Sequence, residues 1–183
     1  MASDLDGELA ALRAAAQESD AHHELIPDLK WPDGVRLAVN FTAAFDAMLP
    51  RRLMNETPMQ LAKGEFGGRV GIWRLIELFD SQKVTATIFT PGRICELYPE
   101  ALRAAARSGH EIADHMWEHH VPKDAALEDD HITRTIAAHE KVTGKRVVGS
   151  RSWHTLGLMK SKGFIYNSHG SGAVNTTRIS AGT

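Results

Sequence analysis

Cysteine is nearly absent from this chain, with Cys95 the single example among 183 residues. An internal disulfide is therefore impossible and a catalytic thiol is not expected; Cys95 reads as a small core side chain beside Ile94. No run approaches the roughly 20 apolar residues that a membrane span needs. Lysine and arginine form no cluster, and a formal net charge of −2 offers neither nucleic acid nor an anionic membrane a basic surface. The first eight residues, Met1 to Glu8, are acidic where a secretory signal would be basic and then apolar. A cytoplasmic location is the expectation.

What is present suffices for one domain with a real core, since 43% of the residues are hydrophobic. Residues 1–30 are expected to form an alanine-rich helical arm, and residues 31–183 the domain. From Val35 onward, short β-branched runs alternate with segments of helical period. The runs Arg36–Thr42, Val84–Thr90, Glu111–Ala113, Arg146–Gly149 and Phe164–Tyr166 predict five parallel strands. Residues 70–80, 98–108, 127–143 and 155–162 predict the helices between them, with Gly109, Gly144 and Gly163 past their ends. Repeated βα units imply an α/β fold, a wound sheet or barrel. The connection from Met48 to Gly68 is too long for an ordinary βα loop and is expected to lie over the strand ends as a lid.

The most informative segment is Gly109-His110-Glu111-Ile112-Ala113-Asp114-His115-Met116-Trp117-Glu118-His119-His120, where a short strand runs into two histidines four residues apart. Imidazoles at that spacing can converge on one ion, and zinc takes nitrogen donors at about 2.0–2.1 Å together with carboxylate oxygen. A third ligand is offered by Asp46, at the end of the strand in Phe41-Thr42-Ala43-Ala44-Phe45-Asp46-Ala47. All three residues follow strand ends, where ligands gather in βα-repeat folds. His120 is expected to point elsewhere, His110 to cap or sit on the surface, and His131 and His139 to be solvated. Trp117 is expected in the core.

Together these segments resemble the metal-dependent polysaccharide deacetylase family, also called NodB-like, of carbohydrate esterase type. The likeness is strongest to its intracellular peptidoglycan deacetylase and cyclic-imidase branch. It continues through Gly67–Leu75, Ala86–Gly92 and Gly163–Ser168, and so covers most of the chain from about Trp31 to Ser168. The resemblance implies a (β/α) barrel, of which about five strands are present here. It makes Asp46, His115 and His119 the metal ligands, with zinc as the default and cobalt, nickel, manganese or iron as alternatives. The family's general base, an aspartate two residues before the ligand aspartate, is replaced by Ala44. Arg151 occupies the base-orienting position, Trp153 and Arg51 are the substrate-contact candidates, with Arg52, Asn55 and Glu56 beside Arg51, and His154 is an opportunistic acid or extra ligand.

The implied activity is hydrolysis of non-peptide carbon–nitrogen bonds, either in N-acetyl sugars or in a small amide or cyclic imide. Sugar grooves use exposed aromatic platforms, and with only four tryptophans, several of which look internal, the chain leaves both substrates open. Loss of the base, together with a chain that stops before the family's late motifs, implies impaired catalysis and a truncated barrel that self-associates. The alternative is a catalytically silent metal-binding or self-associating scaffold.

Overall fold

The computed structural model describes Ala10, residues 33–169 and Thr177–Arg178. The expected arm over residues 1–30 lies, Ala10 apart, outside the described residues. Every element below belongs to one unit formed by residues 40–169 and 176–183.

Hydrophobic runs that follow helical segments build a parallel sheet, because each crossover returns the chain to the same edge. The strands are β1 (Phe41–Ala44), β2 (Ala86–Thr90), β3 (Glu111–Asp114), β4 (Gly149–Ser150) and β5 (Tyr166–Asn167), joined in the order of the chain. All five are parallel, as expected, and the sheet does not close into a barrel among the described residues. A sixth strand, β6 (Thr177–Arg178), pairs antiparallel with β5. It falls in a polar tail where no strand pattern is visible, which corrects the expected count. Central β2 is buried at every position, in keeping with a continuous apolar run flanked by layers on both faces.

The helices are α1 (Leu49–Leu53), α2 (Pro58–Phe66), α3 (Ile72–Ser81), α4 (Gly92–Leu97), α5 (Pro99–Arg107), α6 (Ala125–Thr143) and α7 (Leu156–Ser161), with a π-helical turn at Gly67–Gly71 leading into α3. The connection from Met48 to Gly68 is therefore mostly helical rather than an irregular lid. Pro50 and Pro58 stand in the first turns of α1 and α2, where the missing N–H costs nothing and the fixed φ suits the helix. Asp124 caps α6 by accepting the Leu127 N–H at 2.8 Å, and Gly144 ends it at φ 70°.

Predicted strands begin too early in most cases. Val147 and Phe164 are buried, yet they pack into the core before the ladders of β4 and β5 start. One apolar cluster joins Phe45, Leu49, Ile72, Ile76, Ile88 and Leu102; a second joins Ile132, Ile136, Val147, Met159 and Phe164. No described helix is long and apolar enough to cross a membrane.

Candidate metal centre

Asp46 follows β1, and His115 and His119 follow β3, so two non-adjacent strands deliver the three residues to one end of the sheet. The end of β1 is pinned by Phe45 N–H donating to the Phe89 carbonyl at 2.8 Å and by the Thr90 hydroxyl donating to the Phe45 carbonyl at 2.9 Å. One ligand atom from each of Asp46, His115 and His119 lies within 4.8 Å of the others. His115 Nε2 is 3.8 Å from Asp46 Oδ1, and His119 Nε2 is 3.9 Å from Asp46 Oδ2. Those distances exceed a hydrogen bond. They lie close to the separation of about 3.4 Å between two atoms each bound at 2.0–2.2 Å to a shared tetrahedral ion.

The donor chemistry also fits a cation. Asp46 Oδ1 is buried with no hydrogen-bond partner, a costly arrangement for a carboxylate oxygen that coordination would relieve. Burial raises the Asp46 carboxyl above its ordinary range, while His119 and Arg151 pull it the other way. Burial likewise lowers the His115 imidazole to about 4, so it is neutral at physiological pH. Its Nδ1 bonds the Arg151 carbonyl, which fixes Nδ1 as the protonated nitrogen and leaves the Nε2 lone pair free. The two imidazole rings meet edge to face with centroids 4.8 Å apart.

Most of the remaining sequence candidates lie around these three residues. Ala44 is exposed at the end of β1 and lines, with Asp46, Arg51, Glu56 and Lys63, a cavity of about 510 Å³. Arg51 is held by Glu56 at 2.7 Å, and Arg52 reaches Glu118 at 3.2 Å. Asn55 sits between α1 and α2 at φ 51°. Trp153 is 54% exposed and approaches both imidazoles, with centroids 6.4 Å from His115 and 6.1 Å from His119. Trp73 is also well exposed, so the tryptophans are less internal than expected. Arg151 acts on His115 through its backbone carbonyl, a role no side-chain pattern reveals. His169, which the sequence did not single out, stacks edge-on against Trp153 at 4.6 Å.

Several histidines are placed otherwise than expected. His154 is buried, its Nδ1 3.1 Å from Glu128 Oε1, and so is neither exposed nor among the clustered ligand atoms. His110 is buried and accepts the Ala86 N–H at 3.2 Å. His131 and His139 are buried rather than solvated. His120 turns away to meet His131, centroids 5.6 Å apart.

The loop between His115 and His119 is fixed from behind by α4. Gly92 N–H donates to the Met116 carbonyl at 2.9 Å and Arg93 N–H to the Trp117 carbonyl at 3.0 Å. Trp117 is buried, with the guanidinium groups of Arg134 and Arg93 at 4.3 and 4.8 Å from its ring. A Cβ at Gly92 would lie 2.5 Å from that ring and 3.0 Å from the Thr135 backbone. Gly92→Ala is therefore expected to cost about 1–3 kcal/mol by overpacking. Denaturant unfolding checks this, and an unchanged midpoint would show that Trp117 can move aside freely.

Known proteins share both sequence and architecture. The family described as Polysaccharide deacetylase matches residues 67–154. A peptidoglycan deacetylase-like protein of Gibberella zeae is 29% identical over 175 residues, covering 86% of this chain and 52% of its own length. The peptidoglycan deacetylase of Helicobacter pylori is 32% identical over 96 residues, covering 51% of this chain and 33% of its own. A crystal structure from Mycobacterium smegmatis, assigned to the polysaccharide deacetylases, superposes with a TM-score of 0.68 at 35% identity, over 76% of this chain and 53% of the other. The chain thus spans about half the length of the Gibberella and Mycobacterium proteins. Family match, relatives and structural neighbour agree on one domain type, a polysaccharide deacetylase domain, with the family match carried by residues 67–154.

Proposed function

We propose that this chain is a divalent-metal-binding deacetylase domain whose chemistry is the hydrolysis of an acetyl amide on a sugar, with catalysis impaired by Ala44. The observation that carries the proposal is the convergence of Asp46, His115 and His119 at the strand ends, with an unpartnered carboxylate oxygen between them. Asp46 Oδ and the Nε2 atoms of the two histidines would hold the ion, and zinc suits two imidazoles and one carboxylate, with cobalt, nickel, manganese and iron as alternatives. Such an ion supplies Lewis acidity toward an acyl oxygen and toward water.

The protein's own part is orientation. The Arg151 carbonyl keeps His115 in one tautomer, and α4 holds the loop carrying both imidazoles. The exposed ring of Trp153 beside both histidines offers an apolar face on which a sugar can stack, which favours an N-acetyl sugar over a small cyclic imide. Ala44 leaves the position two residues before Asp46 without a proton acceptor, which is why slow turnover is the expectation.

Metal content measured by plasma mass spectrometry tests the proposal, on protein purified without chelator beside a His115→Ala control. About one ion per chain, lost in the control, is expected for a three-ligand site. No metal above the control sinks it. The second reading, a catalytically silent scaffold that pairs with itself, shares the ligand geometry. It predicts a stable dimer by light scattering and no rate gain from any substitution at Ala44.

A further inference from the structure

We propose that Asp114, which belongs to none of the ligand positions, is the positioning residue of the His115–His119 loop: its buried side chain sets both the loop's backbone and the tautomer of His115. The inference rests on the metal-binding reading above. Asp114 ends β3 and is 1% exposed. Its Oδ1 accepts the Met116 N–H at 2.8 Å, and its Oδ2 accepts the Ser150 hydroxyl at 2.5 Å. Among the described residues it has no ion-pair partner. A buried carboxylate held only by hydrogen bonds is a poor stabiliser. What these bonds do provide is geometry.

The loop needs such a constraint. Met116 and His119 both lie in the left-handed region, at φ 70° and φ 63°, where side-chain-bearing residues are strained. A carboxylate gripping the Met116 N–H holds the first of these turns directly beside His115. The second half of the clamp runs through β4. Through Oδ2 the side chain holds Ser150, the residue before Arg151; alongside, the Asp114 backbone carbonyl accepts the Arg151 N–H at 2.9 Å, and the Arg151 carbonyl accepts the His115 Nδ1–H. On the far side of that peptide, Asn167 Oδ1 accepts the Ser152 N–H at 3.2 Å and Asn167 Nδ2 donates to the Ser152 carbonyl at 2.9 Å. Ser150 and Ser152 join hydroxyl to hydroxyl at 2.8 Å, closing a buried polar ladder from β3 to β5 beneath the candidate ligands. The Arg151 carbonyl that selects the His115 tautomer is thereby held between Asp114 and Asn167. Supporting groups of this kind typically govern metal affinity about 10–100-fold.

Two variants separate positioning from mere packing. Asp114→Asn keeps the acceptor for Met116 N–H, whereas Asp114→Ala removes both contacts. Zinc affinity, measured by competition with a fluorescent chelator, is expected to fall about 10–100-fold in Asp114→Ala and to stay within about threefold in Asp114→Asn. A Val147→Ala variant, in the second core cluster, supplies a comparable stability loss and is expected to leave zinc affinity unchanged. If Asp114→Ala does not fold, Ser150→Ala removes the Oδ2 contact together with the bond to Ser152 while leaving Asp114 Oδ1 on the Met116 N–H, and a several-fold weakening is expected. In the metal-free proteins, nitrogen-15 NMR of His115 reads the tautomer independently: Nδ1–H in the unaltered chain, a mixture in the alanine variants. Unchanged affinity and an unchanged tautomer in the alanine variant overturn the proposal, as does an equal affinity loss in Val147→Ala. Failure of the unaltered chain to bind zinc would instead defeat the metal reading, and the tautomer spectra would still decide the role of Asp114.

Discussion

Ala44→Asp is expected to raise the rate of acetate release from an N-acetyl chitooligosaccharide by about 10²–10⁴-fold, the usual contribution of a positioned general base. The expectation begins with strand geometry. Side chains two residues apart in extended backbone share a face, and Ala44 and Asp46 line one cavity, so a carboxylate at position 44 would stand on the side of Asp46. Ala44 is exposed and lines the same cavity as Asp46, which leaves room for the carboxyl group that an aspartate adds. A second carboxylate next to Asp46 is tolerable only if positive charge is near, and Arg151 is close enough to pull the Asp46 carboxyl downward. An Ala44→Asp, Asp46→Ala double variant is the control, because it restores the base but removes a ligand. Acetate release that rises in the single variant and vanishes in the double one supports the deacetylase reading. A flat response in the single variant, with metal still bound, favours the silent scaffold.

Much of this arrangement is legible in the sequence because it follows strand ends. The His115–His119 spacing and Asp46 are both anchored to apolar runs, and a run that ends in a polar residue marks where a parallel sheet presents its carboxyl edge. The helices α1 and α2 were hidden by Pro50 and Pro58, which signal breaks when met inside a pattern but sit here in first turns. The two-residue strand β6 carries no alternation to detect. The burial of His131 and His139 is legible too: with Glu128, Ile132, Thr135 and Ile136 they form one stripe at helical spacing, and the two isoleucines show that the stripe faces inward. Backbone roles are beyond any such pattern. The carbonyl of Arg151 and the N–H of Met116 take part through position alone, so their contribution emerges only when β3 and β4 are side by side.

Burial of His139 makes acid lability the second large effect. Its ring is 1% exposed, its Nε2 meets the Thr90 carbonyl at 3.1 Å, and its Nδ1 has no partner. Burial lowers its pKa from 6.5 to about 4, with the Thr90 bond pulling weakly the other way. Because the folded value is the lower one, the unfolded chain binds a proton that the folded chain refuses between about pH 6.5 and pH 4. Stability is therefore full above that window and is lost as the pH falls through it, by an amount on the order of 3 kcal/mol for this group alone. Asp46 and Asp114, whose carboxyls burial raises, oppose the trend, since they accept protons more readily folded than unfolded. The contribution of His139 is isolated by comparing urea unfolding of metal-free protein with that of His139→Gln across pH 7 to 4, glutamine keeping a donor for Thr90. The unaltered chain is expected to lose stability more steeply. Thr90 also accepts the His115 backbone N–H at 3.1 Å, so protonation of His139 would press on the carbonyl that seats a candidate ligand. Parallel pH profiles for the two proteins would show instead that the imidazole finds water in the folded state and titrates without strain.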